Sequence, residues 1–322
     1  MIGDALRISR LALVAAVDRF AIWIVLLALL ALATTLSDAF LRPAYLGNVV
    51  RQLAPVGTAA VGATFVMILG GIDLSVGAVI SLAVVICAVQ MDGQIANIPW
   101  ALCVTLLTGA GIGLVNGLLA AFSRASPFIL TLGTSLAVYG LTQIYSGGTA
   151  RGIVAPQFRE FFNYRIGGVM PVLGLMFLIM GVIAVLMLRL TRLGRSMYLI
   201  GSNPRAARIS GLPIRAVTLV GYVLSGVLAA LGGIALLARS GVSSTFAGRG
   251  LEFDVLAAIV LGGTTFEGGT GGVGGTIAGM LVLFVAFNMV NMAGLNYNSQ
   301  LLIKGVIIIV SSAGYAYLKR RG

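Results

Sequence analysis

The chain has 322 residues, 59% of them hydrophobic and only 9% charged, which leaves too little polar surface to solvate a globular domain and points to a polytopic all-α membrane protein. Its net charge of +12 lies in short loops between apolar runs and not on an aromatic-basic surface, so membrane topology accounts for it better than nucleic-acid binding does. Histidine is absent, which removes Ser-His and Cys-His nucleophile pairs, and Cys87 and Cys103 sit in apolar runs with no ligand set around them. Neither a catalytic group nor a metal site is expected here.

Residues 1–19 alternate charged and apolar positions and predict an interfacial helix on the cytoplasmic membrane surface. Apolar runs then predict about ten spans, at 20–36, 53–69, 74–90, 98–122, 128–145, 169–188, 217–238, 255–261, 277–292 and 301–317. Between the fifth and sixth, the stretch 147–165 carries Phe158, Phe161, Phe162 and Tyr164 and reads as an interfacial element on the outer side. Residues 239–254, with Arg239, Arg249, Glu252 and Asp254, are expected in an outer loop. Parity puts 13 of the 21 basic residues inside, including Arg124 and the tail Lys319, Arg320 and Arg321, so both termini are assigned to the cytoplasm.

Three stretches interrupt this pattern. Residues 70–77, GGIDLSVG, join spans two and three with almost no polar loop. Irregular backbone at membrane depth must be shielded by protein or line a wet cavity, and a carboxylate at a helix centre costs about 2.5–3.5 kcal/mol to insert. Gly71, Asp73 and Ser75 are therefore candidates for a helix break beside a pathway. The alternative is that Asp73 and Ser75 simply cap span three near the cytoplasmic headgroups.

Residues 189–215 form the one long polar interruption, with Arg189, Arg192, Arg195, Arg205, Arg208 and Arg215. Asn203-Pro204 reads as an N-cap followed by proline at the first helical position, and Gly211 with Pro213 as a stop. The helix between them has about two turns, roughly 10 Å, too short to stand alone and too polar to cross a bilayer. It is expected to dock on a cytoplasmic protein; a basic loop held by lipid phosphates is the alternative. The third stretch, 261–275, LGGTTFEGGTGGVGG, carries Glu267 and no GxxxxGK[ST] pattern, so ATP binding by this chain is not expected. Its glycines permit either a broken helix beside a pathway or close helix packing.

GGIDLSVGAVISL at 70–82, NGLLAAFSRASPFILTLGT at 116–134, TRLGRSMYLIGSNPRAARISGLPI at 191–214 and LEFDVLAAIVLGGTTFEGG at 251–269 resemble, in register, the permease subunits of ribose- and xylose-type bacterial ABC importers. The resemblance implies a single permease domain over residues 1–322 in the bacterial inner membrane, with about ten helices similar to vitamin B12-type importer permeases. It implies pairing with a second copy or a paralogue, two ATPase domains fused in one partner chain that holds ATP and Mg, and a periplasmic sugar-binding protein. Asn203, Pro204, Arg205, Ala207, Arg208, Ser210 and Gly211 match the family's coupling helix. Two departures are Gly201-Ser202-Asn203, where Gly-Gly-Asn is commoner, and Glu267, where a small or apolar residue is commoner. The competing function is an ion-coupled secondary transporter of a small polar solute, which would need Asp73 or Glu267 to titrate or coordinate.

Overall fold

The computed structural model describes residues 22–35 and 42–292, with isolated positions 302, 305 and 306. The interfacial segment 1–19, most of the tenth span and the basic tail lie outside the described residues, as do both termini. Helix α1 covers Ile22–Thr35. It is followed by α2 (Pro43–Ile68), α3 (Val76–Met91), a short 3-10 turn (Ile95–Asn97), α4 (Ile98–Phe122) and α5 (Pro127–Ser146). A short helix α6 (Pro156–Asn163) and a two-strand ribbon, β1 (Arg165–Ile166) antiparallel to β2 (Met170–Pro171), precede α7 (Val172–Leu190). The remaining elements are α8 (Arg192–Ser202), α9 (Pro204–Ile209), α10 (Ile214–Ser240), α11 (Leu251–Leu261) and α12 (Val273–Met292).

Six of these helices are long and apolar enough to cross a membrane: α2, the Ile95–Phe122 helix that contains α4, α5, α7, α10 and α12. The first to ninth predicted spans each have a helix, but α3 and α11 are shorter than the roughly 20 residues a full crossing needs. The chain is thus an all-α membrane protein whose apolar helices differ in reach.

The centre of the bundle is α10, packed against α2, α3 and α4. Small residues let these backbones approach. A Cβ on Gly226 of α10 would fall on the Gly109 carbonyl of α4, and one on Gly113 would fall on the Tyr222 carbonyl. On the other side Gly232 faces the Pro55 carbonyl of α2. Helix α3 is apolar on every side and buried along almost its whole length between α4, α5 and α10, with α11 beside it, as expected for a helix with no polar face. Its 16 residues amount to about 24 Å at 1.5 Å each. By contrast α4 and α5 turn Leu107, Leu114, Leu136 and Ile144 outward, an apolar surface of the kind a bilayer covers.

Several threonines in this apolar interior satisfy their hydroxyls within their own helix. Thr58, Thr64, Thr105 and Thr142 each donate to the carbonyl four residues back, and Thr64 and Thr276 share a 2.8 Å hydroxyl contact between α2 and α12. At the end where α2 begins, Arg51 donates to Asn163 Oδ1 at 2.7 Å, Arg165 to Asn48 Oδ1 at 2.7 Å and Arg239 to the Gln52 carbonyl at 2.9 Å. These tie α6 and the ribbon onto α2 and α10, and Phe158 is buried beneath them with Phe162 edge-on at 4.9 Å.

Candidate functional site

The opposite end of the bundle gathers all three interrupted stretches. Helix α8 begins at Thr191, whose hydroxyl accepts from the Gly194 amide at 3.1 Å, and ends at Asn203. Asn203 also starts α9: its Oδ1 accepts from the amides of Arg205 at 3.1 Å and Ala206 at 3.0 Å, and Pro204 fills the first helical position. Past the helix, Gly211 adopts φ +75°, and the Leu212 amide reaches back to the Ala207 carbonyl at 3.1 Å. The predicted start and stop signals are therefore the ones used. Ala207 is buried and anchors α9, whereas Arg205, Arg208, Ser210 and Gly211 are exposed, and Ile209 is 89% exposed. The outer face of α9 is thus basic with one bare aliphatic residue. Nearby, Arg215 lies 4.7 Å over the Phe122 ring, which joins the start of α10 to the end of α4.

Behind α8 lie the two helix breaks. Gly201 is buried against the last residue of α2; a Cβ there would fall on the Ile68 carbonyl. That same carbonyl accepts from the Gly269 amide at 2.8 Å. Gly70, at φ +80°, packs on the carbonyl of Glu267, while Glu267 itself is exposed at the rim of the glycine turn. Tyr198 of α8 donates to the Gly271 carbonyl at 2.9 Å, and burial pushes its phenol above the ordinary value, so it stays a donor.

From Gly70 the chain runs inward beside α2. Gly71 faces Val66 and the Tyr222 hydroxyl, leaving no room for a side chain. Asp73 is only 3% exposed. Its Oδ1 accepts from the Ser75 amide at 3.0 Å and the Ser75 hydroxyl at 2.6 Å, and its Oδ2 accepts from Ser225 Oγ of α10 at 2.7 Å. Asn116 of α4 donates to Ser75 Oγ at 2.8 Å. Thr131 of α5 accepts from the Leu74 amide at 3.1 Å, and its one hydroxyl proton is shared between the Ile72 carbonyl at 3.0 Å and the Pro127 carbonyl at 2.9 Å.

The carboxylate therefore does not cap α3, whose N-terminus has no side-chain cap. It accepts the amide of Ser75, the residue before the helix, and ties the break to α10. Nor does it lie at the helix ends: Asn116 precedes the end of α4 by about 9 Å of helix. The Tyr222 hydroxyl and Asn116 Oδ1, both buried beside this network, have no hydrogen-bond partner among the described residues.

A further break was not expected. Residues 241–250 do not stay in an outer loop but descend beside α3. The Gly248 amide donates to Ser81 Oγ at 2.9 Å, and the Glu252 carboxylate occupies the space a side chain at Gly77 would need. Glu252 and Asp254 thus belong to the first turn of α11, and Glu252 Oε2 accepts from the Gly250 amide at 3.0 Å. The 11 residues of α11 then carry the chain on to the glycine turn.

The sequence pattern identified Asn203, Pro204, Gly211, Gly71, Asp73 and Ser75 but missed Ser225 and Tyr222, and it quoted Gly201 without a role. Asn116 and Thr131 lay inside the quoted stretches, and their polarity within apolar runs was the available signal.

Residues 45–311 match the family model described as "Branched-chain amino acid transport system / permease component". The chain belongs to that family. Among curated relatives, this permease is 36% identical over 295 residues to the ribose import permease protein RbsC of Escherichia coli (strain K12), covering 89% of this chain and 90% of that one. It is 35% identical to RbsC of Bacillus subtilis (strain 168), with 88% of each chain covered. The galactose/methyl galactoside import permease protein MglC of Escherichia coli (strain K12) is 33% identical over 91% of this chain and 92% of its own. No solved structure matches. The resemblance read from the four quoted stretches thus extends over nearly the full length, and the permease is a multi-pass inner-membrane protein.

Proposed function

We propose that this chain is the membrane-spanning permease subunit of an ABC importer that takes up a monosaccharide, a ribose-like pentose or a hexose. The observation that carries the reading is similarity to ribose and galactose import permeases along about nine-tenths of the chain. In this reading a periplasmic binding protein delivers the sugar, ATP and Mg are held by a partner ATPase with tandem domains, and a second permease copy or paralogue completes the pathway. The full protein has about ten spans in a vitamin B12-type arrangement with both termini cytoplasmic.

The coupling element is α9. Its support is chemical: a helix too short to persist alone is capped at both ends, anchored by Ala207 and left with Arg205, Arg208 and Ile209 facing outward. Arginine forks suit carboxylates on a docking partner, and the exposed isoleucine would be covered on docking. ATP binding to the partner would then rock the permease between states of different binding-protein affinity.

The test is co-purification of the permease with its ATPase, comparing wild type with Arg205→Glu/Arg208→Glu. Loss of ATPase from a normally inserted double variant is expected. Full retention would move the docking surface elsewhere, and failure of even the wild type to associate would favour an ion-coupled carrier.

A further inference from the structure

We infer that Gly201, the Ile68 carbonyl and Gly269 form a joint that carries motion of α9 into both interrupted spans, so that α8, the 69–75 break and the 262–272 turn move as one body. The inference rests on the coupling role proposed for α9 and names the route by which that role would reach the bundle.

The route has no slack at its first step. Asn203 is at once the last cap of α8 and the first cap of α9, with its amide bonded to Leu199 at 3.1 Å and its side chain to Arg205 and Ala206. A displacement of α9 therefore displaces α8. The second step is backbone against backbone. Ile68 ends α2, so its carbonyl lacks an intrahelical donor, and the Gly269 amide supplies one at 2.8 Å. Gly201 closes over the same oxygen, and the position a Gly269 side chain would take is filled by Ser202. Gly268 packs on the Gly70 backbone, and Tyr198 adds its bond to Gly271.

Contacts of this kind contain no long side chains that could change rotamer and absorb a displacement, and close-packed interiors transmit strain. The third step leads into the bundle: Asp73 ties the first break to α10 through Ser225, and Thr131 ties it to α5.

The experiment uses the permease reconstituted in nanodiscs with its ATPase and binding protein. Gly201→Ala wedges a methyl group against the Ile68 carbonyl. The expected result is retained ATPase and retained ATP hydrolysis, with transport reduced about tenfold. Wild-type transport would overturn the joint, as would loss of ATPase from Gly201→Ala, since the residue would then only shape the docking surface. The Arg205→Glu/Arg208→Glu variant, run in parallel, separates the two ideas. Its retention of ATPase defeats the coupling role itself, whatever Gly201→Ala does.

A second measurement is independent of folding losses in Gly201→Ala. In a Cys87→Ala/Cys103→Ala background, spin labels at Ser210→Cys and Phe266→Cys should keep their separation when a non-hydrolysable ATP analogue binds, while labels at Ser210→Cys and Gln157→Cys, the latter exposed on α6 at the other end of the bundle, change theirs. Equal change in both pairs, or no change in either, would overturn the one-body movement.

Discussion

Replacing Asn203 with alanine removes the acceptor of two hydrogen bonds, from the Arg205 amide at 3.1 Å and the Ala206 amide at 3.0 Å, and nothing else in α9. Loss of an N-cap of this type costs about 0.5–2 kcal/mol, typically about 1. In a long helix most of that would vanish into a large surplus. Helix α9 has six residues and a single buried anchor, so the loss should appear almost whole in the equilibrium between formed and unformed α9. If docking needs the formed helix, the affinity for the ATPase falls by at most the same free energy, an upper bound of about 2- to 30-fold with a central value near fivefold. The assay is a titration of labelled ATPase against permease nanodiscs at fixed salt, since the arginine contribution is screened. Asn203→Asp is the control: aspartate caps as well as asparagine, so that variant should bind nearly as wild type. Equal weakening in the alanine and aspartate variants, or in neither, would refute the argument that cap formation limits docking.

Three more outcomes follow from the bundle. Asp73→Asn keeps one acceptor oxygen where the carboxylate uses both, so at least one of the bonds to Ser75 and Ser225 is lost at about 1–3 kcal/mol and the thermal midpoint in detergent should drop. ATP-dependent uptake by that variant should survive collapse of the proton and sodium gradients; uptake that follows the gradients instead would support the ion-coupled carrier. Ser225→Ala leaves the same buried carboxylate oxygen without its α10 donor and should lower the midpoint comparably, whereas Ser225→Thr, which keeps a hydroxyl, should recover part of it. Gly226→Ala forces α4 and α10 apart at the Gly109 carbonyl, an overpacking cost of about 1–3 kcal/mol measurable by the same thermal assay.

The signals that sequence carried well were the local ones. Asn203, Pro204 and Gly211 define α9 because capping depends on neighbours within four residues, and the structure uses each of them as read. Apolar runs located nine helices for the same reason. Depth was harder. Hydropathy reports how apolar a stretch is but not where along the bundle it lies, so Glu252 and Asp254 read as an outer loop although Glu252 sits against Gly77 in the first turn of α3. The partners of Asp73 were out of reach altogether: Ser225 is 152 residues away and its only mark is a hydroxyl in an apolar span. Gly201 was quoted as part of a motif, yet nothing in its surroundings announces that a carbonyl from α2 occupies the space above it.

Helix α3 has a consequence for how the protein meets bilayers of different thickness. Hydrophobic mismatch acts where a helix touches lipid, and is relieved by tilting, by local thinning or by movement of flanking residues. A helix of about 24 Å would be stretched or submerged if it faced a hydrocarbon layer of roughly 30 Å directly. Because α3 is encased by its neighbours, that load falls on α4, α5 and the other outward-facing helices, while the Asp73 network at its base feels bilayer thickness only after the surrounding helices have tilted.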